Sequence, residues 1–130
     1  MTGSYVRSAN AFLDAVAAVR HRGDVVVGGD WNLTIGKRQA DEHSKNSKAE
    51  NELLKRIRDE FVLESAWSMT HPTSHLPQTL RWSADPASPY HCDGILIPIA
   101  WKERVTHVDI GRNENWRAYS DHNPVWLDVG

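Results

Sequence analysis

The chain has 130 residues, a formal net charge of -2 and a single cysteine, with 40% hydrophobic and 25% charged residues. That length suits one domain or part of one. The near-balanced charge excludes a strongly basic nucleic-acid surface, though not local phosphate binding through a metal and a few cations. No apolar run is long enough to span a bilayer, and one cysteine allows no internal disulfide.

No charged start followed by an apolar block marks a signal peptide, so a cytoplasmic, reducing location is expected. Cys92 reads as a small core residue. In chain order, residues 9–20 (ANAFLDAVAAVR) place Phe12, Val16 and Val19 at helical spacing, with Leu13 alongside. Ser8 is the expected cap of that helix and Gly23 its stop. DVVVGG at 24–29 predicts a short strand. Its apolar residues do not alternate with polar ones, so both faces are expected to be buried. GKRQADEHSKNSK at 36–48 is a polar loop with four lysines or arginines. Ser47 with Glu50 three residues on is a capping box. It predicts a helix to about residue 60, with Leu53, Leu54 and Ile57 facing the core.

Residues 70–79 carry two prolines, two histidines and three threonines and read as irregular surface. TLRW (79–82) predicts a short strand, DPASP a turn, HCDGILIPI (91–99) a second apolar strand and RVTHVDI (104–110) a third. GRNENWRAYSDHN (111–123) reads as a polar loop. PVWLDV closes as a fourth strand, with Pro124 at its first position, where a missing N–H is tolerated. The order is helix, strand, helix, then mostly strands. That predicts a mixed α/β protein with antiparallel pairing among the late, closely connected strands. Of six tryptophans, Trp67, Trp101 and Trp126 are expected to pack.

Three places carry chemistry, all at strand ends or in loops, where α/β proteins present their ligand-binding side chains. Asp30 and Asn32 follow VVVGG, Asp93 sits early in HCDGILIP, and Asp121 and His122 precede the last strand. Carboxylates are hard oxygen ligands suited to Mg²⁺. An amide hydrogen-bonds a phosphoryl oxygen. A histidine beside a carboxylate is oriented and more readily protonated. Together these are parts for metal-assisted phosphodiester hydrolysis. Singly, each also has a plain turn-forming role.

VVVGGDWN resembles the "GDFN" motif of the endonuclease/exonuclease/phosphatase family, which includes deoxyribonucleases, abasic-site endonucleases and inositol polyphosphate phosphatases. YSDHNPVWLDV resembles its closing "SDH-P" strand. HCDGILIP is similar to its "IDYI" strand, with Cys92 and Gly94 in place of an apolar and an aromatic residue. LESAWSMTHP followed by TLRW resembles the segment between. The resemblance implies that Asp30 orients or deprotonates the attacking water and also lies near the metal. Asn32 would hold the scissile phosphate. Asp93 would pair with His122, and His122 would meet the phosphoryl oxygen as charge builds. Asp121 would sit at or beside the metal, Mg²⁺ or Mn²⁺. Trp82 would support the site or pack. Arg112 and Arg117 are substrate phosphate candidates.

The resemblance covers the second half of a domain about twice this length, single α/β domains of 200–250 residues being ordinary. The implied fold is the C-terminal half of a four-layer α/β sandwich, one mainly antiparallel sheet with flanking helices. The first half of the family domain supplies an Asn, a metal-binding Glu and a His. The 29 residues before Asp30 contain no Glu. Glu42 and Glu114, both in loops, are the candidates for its replacement. Unpartnered apolar strands would leave a large bare face. A homodimer, or a complex with a separate N-terminal half, is therefore expected. The substrate is nucleic acid or another phosphoester. The alternative is a truncated, inactive member serving as a binding or structural module.

Overall fold

A computed structural model describes residues 2–39, 46–85 and 87–130. Helix α1 runs over Thr2–Val19 and is followed by a 3-10 turn, Arg20–Arg22, that ends at Gly23. It begins well before Ser8, which is therefore an interior residue and not a cap. Its inward stripe is Ala9, Leu13 and Val16 rather than Phe12 and Val19, which are 48% and 45% exposed. The cause is helical geometry: residues four and three apart share a face, and Phe12 lies about 100° round from Leu13.

Helix α2, Lys48–Asp59, starts at the expected capping box. The Glu50 N–H donates to Ser47 Oγ at 3.2 Å, and the Ser47 N–H donates to Glu50 Oε1 at 2.8 Å. Leu53 and Ile57 are buried, and Leu54 packs along the same cluster. Arg56 ties α2 to α1 through Asp14 Oδ1 at 2.7 Å and Asn10 Oδ1 at 2.9 Å.

Strands β1 (Val27–Asp30), β2 (Leu63–Ser65) and β3 (Asp93–Pro98) form an antiparallel sheet in the order β1-β3-β2. Strands β4 (Val105–Ile110) and β5 (Val125–Val129) pair antiparallel as a second ladder. The mixed α/β class, the antiparallel pairing and the flanking helices agree with the sequence pattern, but the strands divide between two sheets. The expected strand at TLRW reduces to bridges from Leu80 to Tyr90 and His122. Strand β2 and the short helix α3, Ala66–Thr70, are too brief for any periodicity to show. Helix α4, Asn113–Trp116, is one turn within the polar 111–123 segment.

Strand β3 is buried on both faces. Leu96 faces α1 and α2 in a cluster with Leu13, Leu33, Ile35 and Leu53. The alternating period of a strand turns its neighbour Ile97 the other way, into Ala66, Met69 and Val108. Trp67 and Trp101 pack against this second cluster, as expected. Trp126 does not: it is 40% exposed, because Leu127 takes the inward position of β5. Strand β1 is not doubly buried either. Val27 packs on the first cluster, but Val26 is 48% exposed and Gly28, Gly29 and Asp30 are open. Among the described residues β1 pairs only with β3, which leaves its other edge free. No helix among the described residues is long and apolar enough to cross a membrane.

Candidate active site

The register of β1 on β3 sets Asp30 opposite Asp93 and Gly29 opposite Gly94. Directly opposed residues of an antiparallel pair share a face, and like charges there destabilise the ladder. Two glycines make the approach to this pair passable. Gly29 has φ +151°, which side-chain-bearing residues rarely adopt. A Cβ on Gly94 would lie 2.8 Å from Ile35 Cγ2, so the loop after β1 folds down where a side chain would otherwise stand. That loop is pinned by the Trp31 N–H on Cys92 O at 2.8 Å and the Ile35 N–H on His91 O at 3.0 Å. Asn32 adopts φ 56°, and its backbone N–H donates to Asp30 Oδ1 at 2.9 Å. This Asx turn fixes one carboxylate oxygen of Asp30.

His122 stands between the two acids. Its Nδ1–H donates to Asp93 Oδ2 at 2.8 Å. Its Nε2 lies 3.8 Å from Asp30 Oδ2 and 3.9 Å from Asp121 Oδ1. Partial burial opposes a charge on the ring. The hydrogen bond to Asp93 and the charges of Asp93, Asp30 and Asp121 outweigh it and raise the His122 pKa above its ordinary value. Asp121 itself is largely exposed.

A buried polar strap holds these groups in place, and sequence reasoning missed it. Thr79 is wholly buried, and its hydroxyl accepts the N–H groups of Cys92 at 3.1 Å and Asp93 at 3.2 Å. The Thr79 carbonyl accepts the Asn123 N–H at 2.8 Å, and the Arg81 N–H donates to Asp121 O at 2.7 Å. The Arg81 guanidinium bonds Asn113 Oδ1 at 2.8 Å, Asn123 Oδ1 and Ser120 O. Asn123 Nδ2 donates to Gln78 O at 2.9 Å. The TLRW segment is thus an anchor for the Ser120–Asn123 turn. No local pattern in the sequence marks it, since Thr and Arg are ordinary in an exposed strand.

Other expected residues stand apart. Trp82 is 49% exposed and edge-on to Tyr90, with ring centroids 5.9 Å apart. Arg112 precedes α4, and Arg117 Nε donates back to Asn113 O at 3.5 Å. Glu114 lies exposed in α4, and Glu42 lies outside the described residues. A groove of about 330 Å³ opens beside Asp30 and Asn32, lined also by Tyr5, Phe12, Val27 and Trp31.

Cys92 is buried next to this group, with Sγ 3.7 Å from Asp93 Oδ2. Burial, then the Asp93 and Asp30 charges, push its thiol far above the usual range, so it stays protonated at neutral pH. Asp30, Cys92, Asp93 and His122 each place one metal-ligating atom within 4.8 Å of the others.

No family model matches the chain, and no curated protein matches it. Among solved structures it is similar to a 3′-5′ exonuclease (NExo) from Neisseria meningitidis, with 17% identity and a TM-score of 0.64 over 88% of this chain and 48% of that one. The chain therefore spans about half the length of that structure, and at this identity the likeness is one of fold: a mixed α/β fold found in a nuclease.

Proposed function

We propose that this chain carries the phosphate-handling part of a divalent-metal-dependent phosphodiesterase of the endonuclease/exonuclease/phosphatase type, acting on nucleic acid. The observation that carries this reading is the line Asp93–His122–Asp30, with contacts of 2.8 and 3.8 Å, in a chain whose fold neighbour is an exonuclease. Asp93 holds the imidazole in one orientation and favours its protonated form. The Nε2–H then points toward Asp30 and Asp121, where a phosphoryl oxygen would gather charge during attack. Asp30, anchored at one oxygen by the Asn32 N–H, uses the other to take the proton of an attacking water. The Asn32 amide donates to a non-bridging phosphate oxygen. Arg112, Arg117 and Trp82 would meet the rest of a polyanion.

The donor set fits Mg²⁺ or Mn²⁺, because Asp30 and Asp121 offer exposed carboxylate oxygens near one ring nitrogen. When bound, such an ion supplies Lewis-acid charge to the phosphoryl oxygen and lowers the pKa of a bound water. Completion of the site by a second copy or by a separate polypeptide is part of the proposal. It is supported by the free edge and open residues of β1. The same open edge supports the competing reading, a binding module without turnover.

The deciding experiment is Mg²⁺-dependent nicking of supercoiled plasmid, with Asp30→Asn in parallel. Nicking that needs metal and disappears in the variant is expected. Metal-dependent nicking that persists in Asp30→Asn, or no nicking even after a complementing chain is supplied, overturns the reading.

A further inference from the structure

Cys92 has no part in the hydrolytic reading, yet its position is unusual for a core thiol. It is 5% exposed and belongs to neither apolar cluster, and its sulfur faces the Asp93 carboxylate. With it, the reactive group becomes two carboxylates, an imidazole and a thiol, with ligating atoms mutually within 4.8 Å. Oxygen donors alone select hard ions. Sulfur and nitrogen change that preference toward borderline-soft ions. Zn²⁺ takes four such donors in a tetrahedron with bonds of about 2.0–2.3 Å, which sets ligand atoms ~3.4 Å apart. The present spacing reaches that arrangement by side-chain shifts of about 1 Å, which rotamer adjustment supplies.

We infer that Asp30, Cys92, Asp93 and His122 form a closed, four-ligand site for a thiophilic divalent cation, above all Zn²⁺. The inference uses residues of the proposed hydrolytic centre but does not depend on hydrolysis. The ion binds whether or not the chain turns over a phosphodiester. On binding, the Cys92 thiol releases its proton to solvent and its sulfur forms a bond to zinc. For Asp93 and His122 both to ligate, the Nδ1–H···Asp93 hydrogen bond is given up: His122 binds through Nδ1 as neutral imidazole with its one proton on Nε2, and any further ring proton leaves to solvent. The cation stays divalent and no electron moves. Four protein ligands leave no open position for a water, which distinguishes a closed site from a hydrolytic one. The same ion would withdraw Asp30 and His122 from phosphate.

The test is titration of the whole chain with Co²⁺, read by absorption. Cys92 is the one cysteine, so a cobalt–thiolate charge-transfer band in the near ultraviolet reports this site alone. The expected result is saturation at one equivalent, with the intense visible bands of tetrahedral cobalt, displaced by Zn²⁺ and untouched by millimolar Mg²⁺. Cys92→Ser should abolish the near-ultraviolet band. Asp30→Asn should weaken binding by roughly 10-fold or more, since even hydrogen-bond partners of metal ligands carry about that much. Absence of the band in the unaltered protein at millimolar Co²⁺ overturns the inference, whatever the chain's nicking activity. So does a band with the weak visible absorption of octahedral cobalt. An Asp30→Asn variant that binds as tightly as the unaltered chain does the same.

Discussion

His122 owes its proton affinity to carboxylates that the β1–β3 ladder places against each other. Asp93 is the closest of them, at 2.8 Å. Asp93→Asn should therefore lower the His122 pKa, measured by NMR of the imidazole protons, because burial then meets less opposition. The same coupling makes stability depend on pH. The folded-state pKa is raised above the unfolded value, so the stabilisation is complete below about pH 6.5 and is lost as pH rises through the folded value. Urea unfolding at several pH values should show the margin over Asp93→Asn shrinking across that window. In a complemented, active protein the same variant should cut kcat by about 10²–10⁴, the usual weight of a positioned acid–base group. Gly94 is the other sensitive residue. Gly94→Ala drives a methyl group into Ile35 and should cost about 1–3 kcal/mol, read from the urea midpoint.

At the scale of elements, what the sequence announced depended on whether the signal was local. The α2 start was legible because both halves of its cap lie within four residues, and Ser47→Ala should destabilise the chain by ~1 kcal/mol in thermal or urea unfolding. Strand β3 was legible from its apolar run. Strand β2 was not, since three residues have no period, and they become a strand only because β3 offers an edge. The face of α1 was misread because Phe12 and Val19 outweigh Ala9 by size alone. The core accepts the smaller residue where the helix comes close. Asp30, Asp93 and His122 could be singled out by type and place, but the strap from Thr79 through Arg81 could not. Its partners lie far off in the chain, 42 residues for Arg81 and Asn123, and are chosen by tertiary contact.

For the whole molecule, the open side of β1 is the feature that matters most. An edge with no pairing strand among the described residues, with Val26 exposed and glycines beside it, is a template for another strand. Sedimentation over a concentration series should show self-association in the low micromolar range, or tight binding once a complementing chain is present. Val26→Lys should weaken that association while changing monomer stability by no more than about 0.5 kcal/mol, as expected for an exposed position. A single monomeric species at every concentration, unresponsive to any complementing chain, would exclude the docking role of this edge.

The opposed acids also bear on how such a chain evolves. Asp30 and Asp93 face each other on one ladder, an arrangement that folding alone would not favour. On the proposed chemistry, heat resistance and reactivity therefore make contrary demands on Asp30. In a laboratory lineage selected only for survival at high temperature, neutral replacements at Asp30 should arise early and spread, while Asp93, which holds His122, should stay. A lineage also required to cleave its substrate should keep both acids and find its stabilising changes elsewhere.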